Sequence, residues 1–177
     1  MKGRNFPHIP KTTKTLLPGD FWSIPLDDGQ FACGRVIGYC RLDGKQQLKL
    51  FFAGLLDWVS DMPPTSAAIA GAATCMQGGA HLQTILITGG TILGNRPLEL
   101  DGIQPEYFIE YPDNMTPTVF LGMESIRVAT PKDIQTLPTL SIFGNLAMWH
   151  FANECLRRKP NKGMNRTRNQ RASHHSR

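Results

Sequence analysis

The chain has 177 residues, 41% of them hydrophobic, and a mean hydropathy of −0.24, which suits one ordinary core that needs no disulfide or metal staple. No apolar run approaches the roughly 18–20 residues of a membrane span, and Phe6-Pro7-His8-Ile9-Pro10 stands where a signal peptide would carry its apolar core, so a cytoplasmic protein is expected. The formal charge of +5 misleads: residues 1–14 hold four basic and no acidic side chains, residues 157–177 hold eight and none, and the body between is net −7. An acidic body repels phosphates and suits a basic protein partner, so nucleic acid is not its expected ligand.

Met1–Leu17, with Pro7, Pro10 and a Lys-Thr-Thr-Lys-Thr run, lacks a packing period and reads as a flexible arm. Phe21–Leu26 and Phe31–Tyr39 then form a hairpin about Asp27-Asp28-Gly29, and Gly34 marks a bulge or a close backbone approach. A second turn at Asp43-Gly44 leads to a third strand within Leu48–Val59. Thr65 or Ser66 can cap an alanine-rich helix running to Met76 and stopped by Gly78-Gly79, with a small-residue loop as the competing reading. His81–Thr88 alternates as a strand does, and Pro105–Tyr111 and Thr118–Val128 are further strands separated by Pro112-Asp113-Asn114.

Thr130-Pro131-Lys132-Asp133 can open one helical turn. Ser141–Arg158 is the longest predicted helix, with Ile142, Phe143, Leu146, Ala147, Trp149, Phe151 and Cys155 making a wide apolar surface that must pack on something. Beyond Lys159 the basic tail cannot bury enough surface to offset its ordering entropy. It reads as disordered, in the manner of translation past an original stop into a mobile gene cassette. The expected fold is therefore α+β and sheet-dominated: a strongly bent antiparallel sheet or partly open small barrel, with the C-terminal helix packed on it. One globular domain would cover 18–158, flanked by the arm 1–17 and the tail 159–177.

Little here points to catalysis. There is no phosphate-binding loop with its Lys-Ser/Thr, no nucleophile elbow and no His-Glu-x-x-His, and Gly89–Gly94 precedes a proline and no helix. Cys33, Cys40, Cys75 and Cys155 form no Cys-x-x-Cys pair and are expected as free thiols, and His8, His81 and His150 are too scattered for a metal site. No catalytic residue, metal or cofactor is expected. Asp27-Asp28 has two readings: aspartates favour turns by bonding their own backbone, and exposed tip carboxylates can meet a basic partner. Arg35 likewise reads as a solvated or salt-bridged strand residue or as a contact.

Gly19-Asp20, an apolar run ending Ile24-Pro25-Leu26, then Asp28-Gly29 and Gly34-Arg35-Val36 resembles the opening of the immunity protein 26 family. Thr91-Ile92-Leu93-Gly94-Asn95-Arg96-Pro97-Leu98 is similar to a second stretch of that family, with Thr91 where a tryptophan is expected. The resemblance implies a mostly β protein that neutralises a toxin encoded beside it in a polymorphic toxin system, by stoichiometric binding and without catalysis. The expected contacts are Asp27, Asp28, Asp57 and Asp61, facing a basic toxin. Two alternatives stay open: a nucleic-acid-associated small barrel using the basic terminal arms, and a small-ligand-binding protein or enzyme with a pocket between helix and sheet.

Overall fold

A computed structural model describes residues 4–42, 45–111 and 116–156. The Asp43-Gly44 turn, the Pro112-Asp113-Asn114 separator and the tail 159–177 lie outside the described residues. In chain order the elements are a 3-10 turn Thr13–Thr15, β1 (Asp20–Pro25), β2 (Phe31–Leu42), β3 (Lys45–Ser60), β4 (Thr74–His81), α1 (Leu82–Thr88), β5 (Ile92–Asn95), a 3-10 turn Leu98–Asp101, and β6 (Tyr107–Glu110). There follow β7 (Thr118–Leu121), β8 (Glu124–Val128), α2 (Pro131–Thr136), β9 (Ile142–Phe143), α3 (Ala147–Phe151) and a π turn Ala152–Leu156.

The strands make two sheets, a six-stranded one in the order β5-β1-β2-β3-β4-β9 and a three-stranded one in the order β6-β7-β8. The larger sheet is open, with different strands at its two edges, and is sheet-dominated α+β as expected, not a closed barrel. It is apolar on both faces because it lies between two cores. On one face Trp22, Ile24, Val36, Phe51 and Leu55 pack with Leu82 and Ile85 of α1 and with Met148, Ala152 and Leu156 of the C-terminal helical segment. On the other, Phe21, Cys33, Ile37, Phe52 and Leu56 pack with Ile69, Ile103 and Phe108, the last on the second sheet.

The β1–β2 hairpin pairs Phe21 with Arg35 through Pro25 with Phe31. Gly34, opposite Trp22, is a close approach, since a Cβ there would fall inside the Trp22 ring. The register also slips beside it: β2 advances from Ala32 to Gly34 while β3 runs from Val59 to Leu55.

Four expectations are corrected. The alanine-rich helix is absent; residues 66–71 form turns, and β4 begins at Thr74. His81–Thr88 is helical, with His81 as N-cap accepting from the Gln83 amide through Nδ1. The C-terminal helix starts at Ala147, not Ser141, because Ile142 and Phe143 pair in parallel with Gly79 and Ala80. Thr118–Val128, expected as one strand, turns at Gly122 (φ +60°) into the β7–β8 hairpin. From Arg4 the N-terminal arm runs along the sheet edge: His8 and Ile92 exchange backbone hydrogen bonds of 3.1 and 2.9 Å, and Arg4 Nη1 lies 2.8 Å from the buried Asp20 carboxylate.

Candidate partner-binding face

The four carboxylates singled out from the sequence are all exposed. Asp27 and Asp28 occupy the tight β1–β2 turn, closed by Leu26 N–H to Gln30 O at 2.8 Å and Gly29 N–H to Leu26 O at 3.1 Å. Asp28 accepts the Gln30 amide at 3.1 Å, so it performs the turn-forming role that aspartates favour. Asp27 donates its amide to Asn153 Oδ1 at 3.0 Å, and Asn153 donates its own side-chain amide to Trp149 O, which ties the tip to the C-terminal helical segment.

Asp61 follows Ser60, the last residue of β3, and Ser60 is the partner of Phe31. Its carboxylate accepts from Gln30 Nε2 at 2.8 Å. Asp27, Asp28 and Asp61 therefore share one end of the sheet. Asp57 sits further back, where β3 takes its extra residues, and donates its amide to Ala73 O at 2.8 Å. Exposed Glu154, next to Asn153, joins the same end. No local pattern could have nominated Glu154, since its placement depends on a contact across 126 residues.

Behind this face lies a buried ionic cluster. Arg35 and Asp101 side chains are both 0% exposed, with Arg35 Nη1 at 3.1 Å from Asp101 Oδ2 and Arg35 Nη2 donating to Arg96 O. Arg96 Nε reaches Asp101 at 2.9 Å, and the Gly71 amide donates to it at 2.8 Å. Burial alone would raise the Asp101 carboxyl, but the Gly71 amide and the Arg96 and Arg35 guanidiniums outweigh it and hold the group below the usual aspartate range. Burial pushes the Cys33 thiol well up against the opposing charge of Arg35, which keeps it protonated. Arg35 is thus a buried structural cation and not a surface contact.

His81 is the α1 cap, and His150 is exposed with its ring edge-on to Trp149. The space between helix and sheet is filled by Met148, Ala152 and Leu156. Among the described residues no three His, Cys, Asp or Glu side chains gather as a metal-ligating set, and no helix is long and apolar enough to cross a membrane.

A family model for immunity protein 26 matches residues 17–109. The chain belongs to that family. The matched span runs from the end of the arm through β1 to β5 and into β6, and so contains Asp27, Asp28, Asp57 and Asp61 as well as the Arg35–Asp101 pair. The immunity protein 26 family implies an immunity role and a toxin as partner. Comparison with curated proteins and with solved structures gave no match.

Proposed function

We propose that this immunity protein 26 family member neutralises its cognate toxin by forming a one-to-one complex, without catalysis, and that the toxin presents a basic surface to Asp27, Asp28 and Asp61, with Asp57 and Glu154 at the margin. What carries the reading is the convergence of three exposed carboxylates on one end of a family-matched sheet. Gln30 holds the Asp28 and Asp61 carboxylates by hydrogen bonds, and Asn153 holds the Asp27 backbone, so the tip is ordered before a partner arrives. Complementary charge then accelerates encounter and excludes acidic competitors.

The test is calorimetric titration of the full chain against toxin domains encoded beside related genes, at two salt concentrations. Stoichiometric binding that weakens with salt is expected, and Asp27→Asn/Asp28→Asn/Asp61→Asn should reduce affinity at least about tenfold, chiefly through the association rate. Absence of binding to every such domain by a folded protein would remove the toxin reading. Tight binding unaffected by the triple variant would move the contact to another face.

A further inference from the structure

We propose that Arg96 is the clamp of a second binding site, at the opposite end of β1 from the acidic tip, and that it takes a small carboxylate anion. Arg96 follows directly on β5, whose Asn95 pairs with Asp20, the first residue of β1, while the Asp27 turn lies beyond the last, Pro25. A shortage of acceptors around Asp101 creates the site. The Arg35 and Arg96 guanidiniums share that single carboxylate, so the cluster carries a net positive charge.

Asp101 has no acceptor capacity left. Its Oδ1 accepts from the Gly71 amide at 2.8 Å and from Arg96 Nε at 2.9 Å, and its Oδ2 from Arg35 Nη1 at 3.1 Å and Arg96 Nε at 2.9 Å. A carboxylate offers about four lone-pair sites, and these fill them. Arg35 Nε is left buried without a partner, and Nη1 and Nη2 of Arg96 have none among the described residues. The neighbouring acids do not make good the deficit. Asp20 serves Arg4, Asn95 and the Leu17 amide, Glu99 is exposed and enters no ion pair among the described residues, and Cys33 beside Arg35 stays a protonated thiol.

The terminal nitrogens of Arg96 are held ready for a ligand. Its amide donates to Gly19 O at 2.9 Å, its carbonyl accepts from Arg35 Nη2, and its Nε is fixed on Asp101. Gly19, at φ +91°, permits this approach, since a Cβ there would lie 2.5 Å from Arg96 O. The Arg96 side chain is 18% exposed, shielded enough for its charge to count and open enough for a small anion to reach it. Charge and shape select that anion. Two terminal guanidinium nitrogens match the two oxygens of a planar carboxylate in parallel hydrogen bonds. A single negative charge neutralises the cluster, whereas a phosphate dianion overshoots.

The experiment is titration of the full chain with sodium acetate, sodium chloride holding the ionic strength constant, followed by amide NMR shifts and by thermal unfolding. Saturable shifts are expected at the Gly19, Gly71 and Arg96 amides, and with a Kd of ~10 mM, about 50 mM acetate should raise Tm by ~3 °C. Arg96→Gln and Arg96→Lys should both lose these responses, the lysine keeping the charge but not the fork. Arg127→Gln, which removes an arginine paired with Asp133 instead, should keep them. Should the Arg96 variants fail to fold, the shifts in the parent chain decide. Shifts that do not saturate or that centre on other amides would overturn the proposal, as would a Tm rise that survives in Arg96→Gln, or inorganic phosphate saturating the same amides more tightly than acetate. Acetate binding requires no toxin and none of Asp27, Asp28 and Asp61, so this site and the toxin face fail independently.

Discussion

Arg35 shows how far a single residue's meaning can depend on a partner far along the chain. On a strand between Gly34 and Val36 it reads as solvated or as a contact; Asp101, 66 residues away, makes it a buried cation instead. Removing one member of such a pair strands the other charge, so Asp101→Asn is expected to cost about 3–5 kcal/mol in urea denaturation. The pH dependence has a definite sign. The folded Asp101 carboxyl lies below its unfolded value, so its contribution is complete above about pH 4 and is lost as pH falls through the folded value. Asp101→Asn should therefore flatten the acid limb of the stability curve, and an acid limb as steep as in the parent would count against this assignment. Gly34→Ala tests the other constrained residue: its Cβ would enter the Trp22 indole, and a loss of about 3 kcal/mol is expected with the fold retained.

At the scale of elements, the first hairpin and the long third strand follow from alternation and turn chemistry, the β7–β8 unit reads as one strand but turns at Gly122, and three segments obey tertiary partners over local preference. Ala67, Ala68, Ala70, Ala72 and Ala73 favour a helix, and Thr65 supplies a cap by accepting the Ala68 amide, yet the turns end at Gly71, whose amide is taken by buried Asp101. His81–Thr88 satisfies both periods in so short a run; the His81 cap and burial of Leu82 with Ile85 decide for helix. Ile142 and Phe143, apolar at helical spacing, go to the sheet edge because β4 offers Gly78 and Gly79 against which they pack. The α2 cap is a local signal that held: Thr130 and Asp133 form a capping box, with Arg127 bidentate to Asp133 and, with Thr130, holding its carboxyl far below the usual range. Thr130→Ala should lower stability by about 1 kcal/mol and speed amide exchange within residues 131–136 before any global change.

Taken whole, the molecule sets Asp27, Asp28 and Asp61 at one end of its larger sheet, and that site is legible in the sequence only in part. Turn aspartates 27 and 28 announce themselves in sequence; that Asp61 joins them depends on where β3 ends, and Glu154 on the Asn153 contact. A kinetic consequence follows. Raising salt from 50 to 200 mM should slow toxin association with little effect on dissociation.

The larger sheet also constrains how the protein can be made. Trp22, near the start of the chain, finishes its packing only against a core completed by Met148, Ala152 and Leu156, near the end of the described residues. Synthesis must pass Leu156 before that core can shut. A ribosome that stalls or a gene that breaks before Met148 yields a chain whose first core lacks Met148, Ala152 and Leu156, with a place in the queue for proteolysis.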